Sequence, residues 1–113
     1  MVVAEHTQNS TKILSLSGRF DFPSPEDYQT AMAKAEQAKP SRIVLDLTDL
    51  TFVDSSAIGL LHNSHTSLKA VGIQFCLANA QGYIKNVLNL FNMESIVPTF
   101  SSVDEACSAL ISA

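Results

Sequence analysis

The sequence predicts an α/β fold, with a mostly parallel sheet and helices packed against it. After residue 23, the patterns alternate as helix, strand, helix, strand, helix, strand and helix. The stretch Arg42–Leu47 is centred on branched apolar residues and is typical of a strand buried on both faces, as parallel strands are. Strands that alternate with helices are joined by right-handed crossovers, which make neighbouring strands parallel.

Two extended segments and one helix are predicted before residue 40. The segments lie at about 2–7 and 12–17, and Gly18 is expected to end the second. Ser24 is a candidate cap, and the Pro and two acidic residues that follow it are typical of a first helical turn. This helix should run from about 25 to 38. We expect it to bury Tyr28, Ala31, Met32 and Ala35 and to stop at Pro40.

The second half of the chain supplies the remaining elements. In chain order these are a strand at 42–47, a helix at 55–70, a strand at 73–77, a helix at about 80–91 and an extended piece at 97–100. The helix at 80–91 carries Ile84, Val87, Leu88 and Phe91 as its apolar residues. A last helix should follow, because Ser102 and Glu105 have the spacing of a capping box.

Length and charge exclude several classes of function. The chain has 113 residues, 46% of them hydrophobic and 16% charged, and is read as one globular domain, 1–113. Its formal net charge is −4, and its seven basic residues are scattered along the chain. Nucleic acids and anionic lipids both require a basic patch, so we expect neither as a partner.

The expected compartment is the cytoplasm. The N-terminus lacks the pattern of a signal peptide, and no apolar run approaches the ~18 residues that span a bilayer. Cys76 and Cys107 lie far apart and show no metal-binding spacing, so we expect both to be reduced. No metal or cofactor is predicted.

The corner Asp54-Ser55-Ser56 is the most informative segment, because it places two hydroxyls beside a carboxylate where the helix at 55–70 begins. At about 100° per residue, one side of that helix should bury against the sheet. The predicted buried residues are Ala57, Leu60, Leu61, Ser64, Leu68 and Val71. The opposite side carries Ser55, Ile58, Gly59, His62, Thr66 and Lys69. Ser56 falls between the two sides, so Ser55 is the better-exposed hydroxyl.

Two interpretations of this corner remain open on the pattern alone. Asp54 can cap the helix, and the three polar residues can be an N-cap cluster without further chemistry. Against this, Ile58 and Gly59 lie beside the exposed Ser55, where a solvated helix face would more often carry charge. The corner can therefore belong to a docking surface.

The sequence resembles the STAS domain family, and especially its bacterial anti-sigma factor antagonists. The resemblance rests on the run from Asp46 through Asp54-Ser55-Ser56 to Leu61, on Gly18-Arg19-Phe20-Asp21, and on C-terminal segments such as 100–106. It spans nearly the whole chain. It implies a STAS fold, with a single mixed sheet of about four or five strands and about four helices. Ala57 departs from the Gly common at this place, which should add a methyl group close to the acceptor.

The resemblance also implies a phosphorylation switch and no catalysis by this chain. In such proteins a GHKL-type serine kinase, which is also the anti-sigma factor, phosphorylates the Ser after the Asp, here Ser55. A PP2C-type phosphatase removes the phosphate, and the unphosphorylated form binds the kinase. The residues assigned to partner binding are Asp21, Asp54, Ser56, Ile58, Gly59, His62 and Thr66. The free chain is expected to be a monomer.

Two functions outside this family fit the sequence less well. A hydrolase would need His62 or His65 as the base for Ser55, but the G-x-S-x-G elbow is absent and His62 lies about two turns away. A receiver domain would use Asp46 as phosphoacceptor, but its acidic pair and its Lys are missing. Two further roles within the family remain. The chain can be a partner of a multidomain response regulator controlling motility or biofilm, or a subunit of a lipid-transport or stress-signalling assembly.

Overall fold

A single five-stranded sheet organises the residues that this computed structural model describes, which are 1–21 and 25–109. Its strands, in spatial as well as chain order, are β1 (Val2–Gln8), β2 (Thr11–Phe20), β3 (Arg42–Val53), β4 (Gln74–Ala78) and β5 (Thr99–Phe100). β1 is antiparallel to β2, and all the other pairs are parallel. The predicted mixed, mostly parallel sheet is confirmed.

Within the described residues, four helices cover the two faces of the sheet unequally. They are α1 (Pro25–Gln37), α2 (Ser55–Ala70), α3 (Gly82–Leu90) and α4 (Val103–Ser108), with a 3-10 turn at Met93–Ser95. The first three helices contribute to the larger core cluster. Ala106 of α4 packs on the other face, with Val44 and Cys76, because successive side chains of a strand point to opposite faces. None of the helices in the described ranges is long and apolar enough to cross a membrane.

The first helix packs much as its sequence predicts. Tyr28, Met32 and Ala35 are buried, and Ala31 is partly buried. The Tyr28 hydroxyl lies 2.7 Å from the Ser64 hydroxyl, which joins α1 to α2. The predicted cap, Ser24, lies outside the described residues.

The last helix is capped and clamped by side chains. The Ser102 hydroxyl accepts a hydrogen bond from the Glu105 backbone N–H at 3.0 Å, as the capping-box spacing predicts. The guanidinium of Arg42, which is buried, donates to the carbonyls of Ala106 and Ala109 and to the Gln74 amide oxygen. The single side chain of Arg42 therefore holds the C-terminal end of α4 against the sheet.

The two cysteines are both free. Cys76 is buried in β4, and Cys107 is partly buried on α4. Burial raises the pKa of the Cys76 thiol to about 12, so the thiol stays protonated at neutral pH.

Gly18 was expected to end its strand, and this prediction is wrong. β2 continues to Phe20, and the register between β2 and β3 shifts on either side of Gly18. Gly18 has φ +90°, which glycine tolerates and other residues rarely adopt. Its carbonyl accepts a hydrogen bond from the Thr51 hydroxyl at 2.9 Å. Gly18 thus makes an irregularity inside the strand, and β3 runs beyond the predicted end at residue 47 to pair with this part of β2.

Candidate functional site

The candidate site lies where β2 and β3 end side by side. Their last paired residues are Phe20 and Val53, and Asp21 and Asp54 follow directly. Because the two strands are parallel, both acidic residues lie at the same edge of the sheet. α2 begins at this edge with Ser55. The geometry therefore brings together the loop and the corner that the sequence pointed to separately.

Asp54 is the N-cap of α2. Its backbone is extended, with φ −116° and ψ −177°, and its carboxylate oxygen Oδ1 accepts from the Ala57 N–H at 3.0 Å. The same oxygen accepts a bond from the Ser56 hydroxyl at 2.6 Å. One carboxylate thus satisfies a free N–H of the first helical turn and also fixes a neighbouring hydroxyl.

The two hydroxyls of the corner differ in their bonding. The Ser55 hydroxyl is exposed and makes no hydrogen bond to any of the residues that the structure describes. The Ser56 hydroxyl is held by Asp54. Ser56 was expected to be half-buried and is exposed, because the first residues of a helix that starts at the sheet edge have no strand beneath them. Bonding to Asp54, and not burial, separates Ser56 from Ser55.

Most of the predicted docking face of α2 is accessible. Gly59, His62 and Thr66 are all exposed. A Cβ placed on Gly59 would meet no heavy atom within 4 Å, so open space lies above this residue. The Thr66 hydroxyl donates to the His62 carbonyl at 3.2 Å, a bond within the helix.

Ile58 was assigned to this exposed face, and that assignment is wrong. Its side chain is only 7% exposed and belongs to the larger core cluster. His65, seven residues or about two turns after Ile58 along α2, lies on the same side and lines a groove with Ser95 and Ile96. This side of α2 therefore faces the segment between α3 and β5, which widens the buried stripe beyond the prediction. Val71 was predicted to be buried, and this prediction is also wrong. Val71 lies past the end of the helix and is 58% exposed.

Ala57 does not crowd the acceptor as its methyl group was expected to do. Its side chain is 1% exposed and belongs to the core cluster. The methyl group therefore faces away from the exposed side of α2, where Ser55 lies.

Three residues that the sequence analysis did not assign to the site complete the corner. The Arg19 guanidinium donates from Nε to Asp21 Oδ2 at 3.1 Å and lies 4.0 Å above the Phe52 ring centroid. On Tyr83 the ring stacks with that of Phe52, with centroids 5.9 Å apart, and the hydroxyl donates to the Val53 carbonyl at 3.3 Å. The pairing of Arg19 with Phe52 depends on the register of β2 and β3, which shifts beside Gly18, so the sequence held no local signal for it.

An exposed apolar stripe runs along α3 from this corner. Tyr83 is 49% exposed, Val87 is partly buried and Leu90 is 80% exposed. They follow the spacing of one helix face, i, i+4 and i+7. Since Tyr83 contacts the end of β3, the stripe adjoins the Ser55 corner and supplies the apolar surface that Ile58 does not.

The alternative phosphoacceptor, Asp46, is occupied by hydrogen bonds. Its carboxylate accepts from the Thr48 N–H and hydroxyl at 3.1 and 2.6 Å, from the Asn79 amide at 3.0 Å and from the Ser15 hydroxyl at 3.4 Å. Partial burial raises the pKa of Asp46, but the bonds from Thr48, Asn79 and Ser15 outweigh burial and leave its pKa below the ordinary value. Asp46 has the surroundings of a structural carboxylate.

In the hydrolase alternative, neither His62 nor His65 lies within hydrogen-bond reach of Ser55. His62 is exposed and lies seven residues along α2, which is about 10 Å of helix rise. Proton transfer requires a heavy-atom distance of about 2.6–3.2 Å.

Comparisons with known proteins identify the family of the chain. The family model of the STAS domain matches residues 2–106. A STAS-domain containing protein of Pseudomonas aeruginosa is 31% identical over 83 residues, which are 74% of this chain and 81% of that protein. The structure of an anti-sigma factor antagonist from Mycobacterium paratuberculosis superposes with a TM-score of 0.85 at 18% identity, over 95% of this chain and 91% of that one. The phosphorylated form of the Bacillus cell fate determinant SpoIIAA gives a TM-score of 0.70 at 21% identity, over 94% and 96%.

Proposed function

This chain belongs to the STAS domain family, and from that premise we propose that it is a protein-interaction switch of the anti-sigma factor antagonist type. In this proposal Ser55 is the residue that a partner kinase phosphorylates. The unphosphorylated chain binds the kinase, which then releases the protein it was holding. Phosphorylation of Ser55 prevents that binding.

The observation that carries this proposal is the difference between the two corner hydroxyls. A kinase needs a hydroxyl that is exposed and available to attack the phosphoryl group. The Ser55 hydroxyl meets this need within the described part of the chain, whereas the Ser56 hydroxyl donates to Asp54 at 2.6 Å. The phosphorylated form of SpoIIAA, which shares this fold, supports a phosphorylation event in the chain.

A phosphate on Ser55 should leave the fold intact. It adds a charge of about −1.5 to −2, and the positive end of the α2 dipole offsets part of it, typically by 0.3–1 kcal/mol. Asp54 and Asp21 lie at the same edge and oppose the new charge. Since Ser55 is exposed, water solvates the phosphate, and these opposing terms remain comparable in size.

The same phosphate should block a partner that covers the corner. Burying a charge without a counter-ion costs several kcal/mol, and every 1.4 kcal/mol weakens an affinity tenfold. The surface that we assign to the partner consists of Gly59, His62 and Thr66 on α2, with Asp21, Asp54 and Ser56 at the sheet edge. The exposed Tyr83 adjoins it. We assign its apolar contacts to the α3 stripe, since Ile58 is buried.

We infer that the partners are a GHKL-type serine kinase with anti-sigma activity and a PP2C-type phosphatase. The first supplies both the phosphoryl group and the docking surface, and the second restores the binding form. The family supports this pairing. The exposure of Ser55 supports access for both enzymes.

Mapping of the phosphorylated residue tests the acceptor. The chain is incubated with ATP and a GHKL-type kinase that co-purifies with it from the source cell, and the modified residue is located by tandem mass spectrometry. We expect phosphate on Ser55 in the wild type and in Ser56→Ala, and none in Ser55→Ala. Phosphate on Ser56 would contradict the assignment from hydrogen bonding.

Binding measurements test the switch. Ser55→Ala and the wild type should bind the kinase, and Ser55→Asp should bind at least about tenfold more weakly, because its charge must be desolvated. Ser10→Asp is the control, because Ser10 is exposed in the turn between β1 and β2, outside the assigned surface, and it should bind as the wild type does. If Ser55→Asp binds as tightly as Ser55→Ala, the switch mechanism is wrong even where Ser55 is the acceptor.

A further inference from the structure

A groove lies at the end of the sheet opposite to the Ser55 corner. The corner is at the carboxyl ends of β2 and β3, whereas Ser41 and Gln74, at the amino ends of β3 and β4, line the groove. The groove has a volume of about 870 Å³, within the range of small-molecule sites. Its other walls are the last two turns of α2 and the segment Ser95–Pro98. The proposed phosphorylation switch does not use this surface.

The groove exists because β5 is too short to cover β4. β5 pairs only with Leu77 and Ala78, so the first three residues of β4 have no strand beside this edge within the described chain. The Leu77 N–H donates to the Pro98 carbonyl at 2.9 Å. Pro98 itself has no N–H to continue the ladder. In a parallel ladder alternate residues face the same neighbour, so the Phe75 backbone faces the groove as Leu77 faces β5.

The charge of the groove differs from that of the chain. Lys69 contributes a positive charge from α2 and His65 contributes an imidazole that can become positive, while none of the described residues that line the groove is acidic. The whole chain has 11 acidic and 7 basic residues, so a lining with only basic charge stands out. The hydroxyls of Ser41 and Ser95 add hydrogen-bonding groups.

The rest of the lining is apolar. Ile73 and Phe75 form a buried floor, 7% and 3% exposed, and Ile96 and Pro98 form a partly exposed wall. A ligand that matches this surface has an apolar body and one anionic group.

His65 is set in surroundings that an anion would stabilise. Partial burial, then the positive charge of Lys69 and then His62, hold the pKa of His65 below its ordinary value. An anion placed between His65 and Lys69 offsets both of these charge effects.

We propose that this groove binds a small organic anion, whose carboxylate or phosphate contacts Lys69 and His65 and whose apolar body lies against Ile96 and Pro98. Because the two basic side chains lie beside an apolar floor, the site suits amphipathic ligands and not a free inorganic ion. Since the site lies at the other end of the sheet, its occupancy does not depend on Ser55.

Nuclear magnetic resonance titrations of the full chain test this proposal with defined probes. 1-Naphthyl phosphate and 1-naphthoate distinguish the two anionic groups, 1-naphthol supplies the same body without charge, and inorganic phosphate supplies the charge alone. We expect at least one naphthyl anion to shift the backbone amides of Phe75 and Ile96. It should bind at least about tenfold more tightly than either 1-naphthol or inorganic phosphate, because a charge-assisted bond and apolar contact add.

Variants assign the effect to the groove. Lys69→Gln and His65→Gln should each weaken binding of the naphthyl anion by roughly tenfold. Lys34→Gln is the matched control. Lys34 lies in the last turn of α1, as Lys69 lies in the last turn of α2, so both lysines interact favourably with the negative end of a helix dipole. Equal binding of 1-naphthol or of inorganic phosphate, shifts confined to other residues, or unchanged affinity in both groove variants would each overturn the proposal. Ser55→Asp should bind the probe as the wild type does.

Discussion

Replacing Gly59 by Ala should make the protein more stable. Gly59 lies inside α2, is exposed, and would carry a Cβ with no heavy atom within 4 Å. The new methyl group therefore meets no obstacle and buries no surface. The expected gain is therefore the difference in helix propensity, which favours Ala over Gly in a helix interior by about 0.8–1 kcal/mol.

Gly72→Ala provides the matched control. A Cβ on Gly72 would likewise meet no heavy atom within 4 Å, but Gly72 lies just after the end of α2 and has φ +79°. A left-handed conformation is unfavourable for a residue with a Cβ by roughly 1–2 kcal/mol. The two variants should therefore differ in opposite directions from the wild type, although neither creates a clash.

Urea denaturation and thermal melting measure both changes. A gain of about 1 kcal/mol corresponds to a melting-temperature increase of roughly 3–6 °C in a chain of this size. If Gly59→Ala and Gly72→Ala shift stability in the same direction, the backbone reasoning is wrong. If the kinase docks on Gly59 as proposed, Gly59→Ala should also bind it more weakly, so that stability rises while affinity falls.

Three further changes probe the corner and the sheet. Asp54→Ala should lower the free energy of unfolding by about 1–2 kcal/mol, because the cap to the Ala57 N–H is lost, whereas Asp54→Asn should lose only a few tenths; urea titration separates them. Arg42→Met should lose about 2–4 kcal/mol, since it removes the charged bonds to the end of α4, including that to Ala106, and limited proteolysis should then cut near α4 first. The lowered pKa of Asp46 contributes stability that is present above the ordinary value of 3.8 and lost as the pH falls through the lower folded value. As the pH falls, the difference in the free energy of unfolding between the wild type and Asp46→Asn should therefore decrease. A difference that stays constant with pH would show that the bonds to the carboxylate do not favour its ionised form.

The order of elements was predictable because each has a local signal. The Ser102–Glu105 spacing predicted a cap, and the observed bond from the Glu105 N–H confirms it. The residues around Asp54 likewise predicted the start of α2, since a short acidic side chain before an apolar helical pattern is the usual N-cap.

The errors arose where a neighbour in space decides the outcome. Ile58 lies on a side of α2 that faces the segment between α3 and β5, and helix periodicity does not report that contact. Glycine is typical of the end of a strand, but pairing with the second half of β3 keeps Gly18 in the sheet. Tyr83 was missed because its role depends on stacking with Phe52, which is 31 residues earlier.

The unequal length of β3 and β4 has a consequence for local opening. β4 pairs with β3 only as far as Asp46, while β3 continues to Val53, so this part of β3 has a strand on one side alone within the described chain. Amides with fewer partners open at lower free energy than the core. The Tyr83 hydroxyl, bonded to the Val53 carbonyl, closes the unpaired side at its far end. Hydrogen exchange of the Leu47–Val53 amides can therefore respond to events at the corner while the rest of the sheet stays closed.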